Sequence, residues 1–267
     1  MRRILPLLAL LPLPLAAADD LGWHVQVASC SKYAAVEFQA QLRNVTNGKI
    51  AFKGEGDRPA AELILESAGK APVRKPLPRD AVAYRGPDEL APGQYGWYVS
   101  CDLRLAFGRL APGRYTLRAV FGDIASEPAA FEVSDTSVEE AKKNWAAPEG
   151  IEFRVADKDG GKVGILVNRR KTPLALLAYA GAQGAPLQAL VTAQQWTGRA
   201  WTGFVGGFCG TGLEEVTIAP GAEREIALPS FPDGILRLAV SCHERAGEET
   251  KAIEAVTEPF LVDTFKG

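Results

Sequence analysis

Four cysteines, Cys30, Cys101, Cys209 and Cys242, and two histidines, His24 and His243, carry most of the intrinsic reactivity in this 267-residue chain. A nucleophilic thiolate needs an adjacent base that is itself oriented. The arrangement closest to that is Phe208-Cys209-Gly210-Thr211-Gly212 together with His243, the neighbour of Cys242. An even cysteine count in an exported chain points instead to two disulfides, for which three pairings exist. Staples closed within each domain would join Cys30 to Cys101 and Cys209 to Cys242, a structural role.

Other motifs reduce to structure in the same way. The glycine-dense run from Gly203 to Gly212 lacks the Lys-Ser/Thr ending of a nucleotide loop and is read as a bulged strand or hairpin loop. Asp157-Lys158-Asp159-Gly160-Gly161 begins like a calcium loop, but its twelfth position is Asn168 rather than a glutamate, so a hairpin turn is expected. Trp196 and Trp201 flank a four-residue turn containing Arg199. A cross-strand aromatic pair fits that spacing, and Trp196, Arg199 and Trp201 are also the candidate binding residues, since tryptophan and arginine dominate interface hot spots. Asn44-Val45-Thr46 is an N-glycosylation sequon. The carboxylates are scattered over polar strand faces and turns. No catalytic set, metal site or cofactor is expected.

Positioning these residues falls to an exported, all-β chain. Met1-Arg2-Arg3, an apolar run from Ile4 to Leu15 and Ala16-Ala17-Ala18 have the order of a cleavable secretory signal over residues 1–18. The apolar run is shorter than the roughly twenty residues a membrane-spanning helix requires, and no later stretch is long enough either. Thirty basic and 32 acidic residues give a net charge of −2, with both signs interspersed. That excludes a basic field for nucleic acid. A periplasmic or secreted location follows from the signal.

The remainder reads as short strands punctuated by Pro-Gly and glycine-rich turns. Val36, Phe38, Ala40 and Leu42 alternate with Glu37, Gln39, Gln41 and Arg43, and the same alternation is expected over 115–121 and 235–240. Residues 134–145 are the best helical stretch, with capping-box spacing at Ser137 and Glu140 and an ion pair expected between Glu139 and Lys143. This predicts an N-terminal domain over 19–134, a linker with a short helix over 135–149, and a C-terminal domain over 150–267.

The two halves repeat one plan. Leu90-Ala91-Pro92-Gly93, then Leu110-Ala111-Pro112-Gly113-Arg114-Tyr115, then Ser126-Glu127-Pro128 before Phe131-Glu132-Val133 correspond to Ile218-Ala219-Pro220-Gly221, Pro232-Asp233-Gly234-Ile235, and Thr257-Glu258-Pro259 before Phe260-Leu261-Val262. The openings from Trp23 to Ala28 and from Ile151 to Ala156 match in pattern. In that order of signals each half resembles the bacterial immunoglobulin-like and fibronectin-III-like β-sandwich modules, without the cysteine spacing and core tryptophan of antibody domains. The resemblance implies two tandem sandwiches with binding or assembly roles outside the cytoplasm, and it carries over no catalytic residue. The expected function is non-enzymatic recognition of another macromolecule, a protein first, through sandwich loops or edges. An inhibitor or immunity protein against an exported enzyme is the narrower alternative. A glycan-binding or unrecognised hydrolytic protein is the other.

Overall fold

The computed structural model describes residues 20–52, 59–121, 124–159, 161–179, 185–204, 212–246 and 249–266. The expected signal over 1–18 and Cys209 lie outside them. The chain divides into two units, one of Val36–Glu132 with the residues up to Ser29, the other of Cys30–Ala35 and Val133–Lys266. Among the described residues no helix is long and apolar enough to cross a membrane.

The first half forms β1 (Leu21–Val27), β2 (Cys30–Ser31), β3 (Glu37–Asn44), β4 (Ile50–Ala51), β5 (Ala61–Ser67), β6 (Val73–Pro76), β7 (Val82–Arg85), β8 (Glu89–Leu90), β9 (Tyr95–Asp102), the short helix α1 (Arg104–Phe107), β10 (Gly113–Phe121), β11 (Ile124–Ala125) and β12 (Ala129–Ser134). One sheet runs β1-β3-β9-β7 and the other β2-β12-β10-β5-β6. Lettered in chain order these are A-B-E-D and A′-G-F-C-C′, the immunoglobulin strand order. The alternation read from β3 is present: Phe38, Ala40, Leu42 and Asn44 are buried, while Glu37 and Gln39 are exposed. Leu42, Leu63, Trp97 and Leu117 are fully buried. At the start of β10 the Tyr115 hydroxyl donates to the Ala111 carbonyl at 2.7 Å, the tyrosine corner of sandwich folds.

After α2 (Val138–Lys143) the second half forms β13 (Ile151–Lys158), β14 (Gly161–Asn168), β15 (Leu174–Tyr179), β16 (Gln188–Ala189), β17 (Val191–Trp196), β18 (Trp201–Phe204), β19 (Glu214–Ile218), β20 (Glu223–Ala227), β21 (Gly234–Ala246), β22 (Glu249–Val256) and β23 (Phe260–Val262). One sheet is β13-β14-β20. The other runs β16-β15-β21-β17-β18, with β19 on β15 and both β22 and β23 on β21. Lys158 pairs with Gly161 and Asp159 takes φ +51°, so β13 and β14 form the hairpin expected at this step.

The repeat is visible atom by atom. Asn44 ends β3 and Asn168 ends β14, both buried. Asn44 Nδ2 donates to Gly48 and Leu90 carbonyls at 2.7 and 3.0 Å, and Asn168 Nδ2 donates to Thr172 and Ile218 carbonyls at 2.9 Å each. Their Oδ1 atoms accept from the Thr46 and Arg170 amides. Leu90 and Ile218 open the two Pro-Gly signals, whose glycines, Gly93 and Gly221, take φ +75° and +76° and donate N–H to Asn44 and Asn168. A side chain at either glycine would be strained by that φ. Likewise Ser126 Oγ accepts from Ala119 N–H and Thr257 Oγ1 from Leu238 N–H, so Ser-Glu-Pro and Thr-Glu-Pro are one hydroxyl-latched interruption of the last strand. The openings correspond with an offset of two from the sequence alignment, because Leu21 and Ile151 are the residues paired with the two asparagines.

Two local expectations fail. Ile235, Leu236, Leu238, Ala239 and Val240 are all buried, so β21 does not alternate. The outward Ile235 lies under a small apolar cluster of Ala141, Val138, Trp196 and Trp201, while Leu238 and Val240 enter the main core. In α2, Ser137 caps Glu140 N–H as expected, but Glu139 pairs at 3.6 Å with Lys142, which also reaches Glu258 at 2.7 Å. Two acids therefore compete for Lys142, and among the described ion pairs Lys143 takes no part.

Candidate functional site

Trp196 and Trp201 face each other across the β17–β18 hairpin, ring centroids 5.3 Å apart. Trp196 is 3% exposed and its Nε1 donates to Thr136 Oγ1 at 2.9 Å. Trp201 is half-buried, donates to the Asn144 carbonyl at 3.0 Å, and lies under the Arg237 guanidinium at 4.5 Å. Both indole N–H groups thus hold the two ends of α2. Arg199 is exposed at the turn. The pair fastens a helix, with Trp196 buried and Trp201 half-exposed.

None of Cys30, Cys101 and Cys242 is joined in a disulfide, contrary to the Cys30–Cys101 staple expected. Cys30 sits beside Val133 in one sheet and Cys101 beside Phe38 in the other. The Cys209–Cys242 pairing involves a residue outside those described. Cys242 and His243 are successive residues of β21 and therefore point to opposite faces. His243 Nε2 lies 2.8 Å from Glu215 Oε2, and Cys242 is buried with its thiol pushed up to about 12 by desolvation. At pH 8 such a thiol is about 0.01% thiolate, against roughly a quarter for an ordinary cysteine. Alkylation of Cys242 in the reduced native protein at pH 8 is therefore expected to run about a thousandfold slower than in denaturant, as peptide mass mapping would read. The sequon is closed in a different way: the Asn44 amide that would carry a glycan is buried and fully engaged. Among the described residues no cluster of three or more His, Cys, Asp and Glu could hold a metal.

The concave feature of the second unit lies elsewhere. A cleft of about 990 Å³ opens between β13 and the β22–β23 border, lined by Ile151, Phe153, Val155, Phe231, Val256, Phe260 and Val262 with Trp145 at one end. Phe231 and Phe260 meet edge to face at 5.7 Å and, with Val155, pack against the main core from its open side. Among the described residues the three strands that border the cleft lie at sheet edges: β13 pairs with β14 alone, and β22 and β23 pair with β21 alone. In the first half the corresponding last strand, β12, has β2 parallel to it through Cys30–Val133 and Ser31–Ser134. Among the described residues no strand takes that place on β23. Past β23, Asp233 Oδ1 accepts from both the amide and hydroxyl of Thr264 at 2.7 Å, which fixes the end of the edge.

The charges around the cleft are satisfied locally. Glu152 is bound by Arg169 and Arg154, and the Arg169 hydrogen bond foremost holds its carboxyl below the usual range. Lys162 pairs with Asp157 at 2.9 Å and Glu258 with Lys142. What remains is an apolar floor between two rows of backbone donors and acceptors, a geometry that accepts an added strand. The apolar triplet Phe260-Leu261-Val262 is legible in the sequence as a strand. That its outer edge is uncovered is a property of pairing, which no local pattern records.

In sequence the chain matches no family model and no curated protein. Solved structures similar to it include a two-domain fibronectin type-III segment of chicken tenascin, at 14% identity over 90% of this chain and 99% of that one with a TM-score of 0.20. The E. coli chaperone DraB follows at 15% identity over 88% and 96% with a TM-score of 0.22. The Yersinia pseudotuberculosis adhesin InvE matches at 10% identity over 90% of this chain and 59% of that one, with a TM-score of 0.23. The assignment of the chain as all-β with immunoglobulin-like sandwiches rests on the strand orders and paired latches described above.

Proposed function

We propose that this chain is a non-enzymatic binding protein that takes an extended segment of a partner protein into the cleft of its second unit by strand addition, in the periplasm or outside the cell. The observation that carries this reading is the cleft itself, in which two strand edges border an apolar floor where the first half has an extra strand. Main-chain hydrogen bonds to β23 would supply affinity, and alternate apolar side chains entering between Phe153, Val155 and Phe260 would supply selectivity. Compartment rests on the signal expected over residues 1–18.

Panning a displayed library of decapeptides against the chain from Asp19 tests it. Selected peptides are expected to alternate apolar and polar residues and to lose at least about tenfold in affinity against Val155→Glu or Val262→Glu, with the melting transitions of both variants retained. Peptides without alternation, or equal binding to folded variants, would refute the reading.

A further inference from the structure

We propose a second, independent binding site: the outer face of the β1-β3-β9-β7 sheet is a platform for a neutral oligosaccharide. The ladder places His24, Gln41, Tyr98 and Tyr84 in one row across the four strands. The next row is Gln26, Gln39, Ser100 and Val82, and Arg43 pairs with Tyr95 on the other side. Tyr84 and Tyr95 are exposed, at 60% and 39%, and their rings lie 6.1 and 6.2 Å from that of Tyr98. Three phenol rings thus occupy one side of the face and three planar amides the other.

That division suits a sugar. The C–H face of a pyranose ring stacks on a phenol ring, whose π-face is negative. The glutamine amides carry both donors and acceptors for hydroxyls that need both, with Gln41 Oε1 shared with Arg43 and Gln26 Nε2 with His24 Nε2 at 3.0 Å.

Charge and area decide between a glycan and a protein. The three rows hold no carboxylate, the nearest on this face being the exposed Glu37 one row beyond Gln39 and opposite Asp102, and the sole arginine donates to Gln41 Oε1 at 2.6 Å. A neutral, hydroxyl-rich ligand complements such a face better than a charged segment does. Four strands by three rows span about 14 by 14 Å, or roughly 200 Å². A standard protein interface covers about 800 Å² per partner, with a desolvated apolar centre. Two or three sugar rings fit the smaller figure. The depression between His24, Gln26, Gln39, Gln41 and Arg43 measures about 30 Å³. This is a platform open along the sheet, suited to the side of a chain rather than its end.

The test is co-sedimentation of the chain from Asp19 with cellulose, chitin, insoluble β-1,3-glucan and peptidoglycan sacculi. Calorimetry follows with tri- to hexasaccharide fragments of whichever polymer retains it. Retention on at least one polymer is expected, weakened about tenfold by Tyr84→Ala and by Tyr98→Ala, and also by the paired Gln39→Ala and Gln41→Ala replacements, with melting temperatures unchanged. Val155→Glu, in the cleft, is expected to leave sugar binding intact, which separates this site from the proposed peptide site. No retention on any of the four polymers would overturn the proposal, as would retention insensitive to both sets of variants. Binding of an envelope protein that the same variants abolish would overturn it in favour of a protein interface.

Discussion

Replacing Asn168 by alanine is expected to destabilise the second unit by about 3 kcal/mol, and Asn44→Ala to do the same to the first. Each amide closes the turn after its B-equivalent strand. Asn168 gives two N–H groups to carbonyls 4 and 50 residues onward and accepts one backbone amide. Alanine fills none of these roles and strands a buried carbonyl, at about 1–3 kcal/mol for the unsatisfied group in addition to the lost bonds. Two-domain unfolding is not a single two-state event, so calorimetry with resolved transitions is the appropriate readout. A loss of about 3 kcal/mol moves the transition of a domain this size by about 10 °C or more. The two variants are expected to shift different transitions. A shift of the same transition by both, or a change below about 2 °C in either, would contradict the view of paired latches.

Trp196→Ala is expected to cost about 3–5 kcal/mol, the range for a buried tryptophan. It removes the ring over Ile235 and Ala141 and leaves Thr136 without its indole donor. The helix loses its seat as well, so the amides of α2 should exchange with solvent at nearly the rate of an unfolded chain. Trp196→Phe retains most of the packing and forfeits the indole hydrogen bond, for about 1 kcal/mol. Arg199→Ala, at an exposed turn, should fall within about 0.5 kcal/mol of the parent. Chemical denaturation with hydrogen exchange on α2 separates these. A stable Trp196→Ala protein with α2 protected would show that the tryptophan is not the anchor described here.

The contrast between those two residues shows what the sequence discloses. The Trp-x₄-Trp spacing announces a cross-strand pair, and the pair forms. Which face of the hairpin it occupies depends on α2 packing across it from 60 residues away, a tertiary fact. The Pro-Gly and Ser/Thr-Glu-Pro signals are legible because each encodes a local backbone need: a left-handed glycine, a hydroxyl acceptor, a proline with no N–H to pair. Asn44 and Asn168 carry the same information in a form that needs partners 46 and 50 residues onward, so the first reads as a sequon and the second as a failed calcium ligand.

The platform shows an intermediate degree of legibility. Gln39, Gln41 and Arg43 stand on the wet side of an alternating strand, as the pattern states. Their alignment with His24 on β1 and with Tyr98 and Tyr84 on β9 and β7 follows from register alone. The cleft is least visible of all, because it is defined by a strand position that the described residues of the second half leave open, and absence of pairing has no composition or period.

The most direct test of strand addition is hydrogen–deuterium exchange of the chain from Asp19, with and without a selected alternating peptide. The account predicts new protection concentrated in Phe260–Val262 and the facing stretch of β13, with loops at the sandwich ends unchanged. Protection confined to those loops, or saturating peptide binding that leaves the amides of β23 exchanging as before, would contradict it.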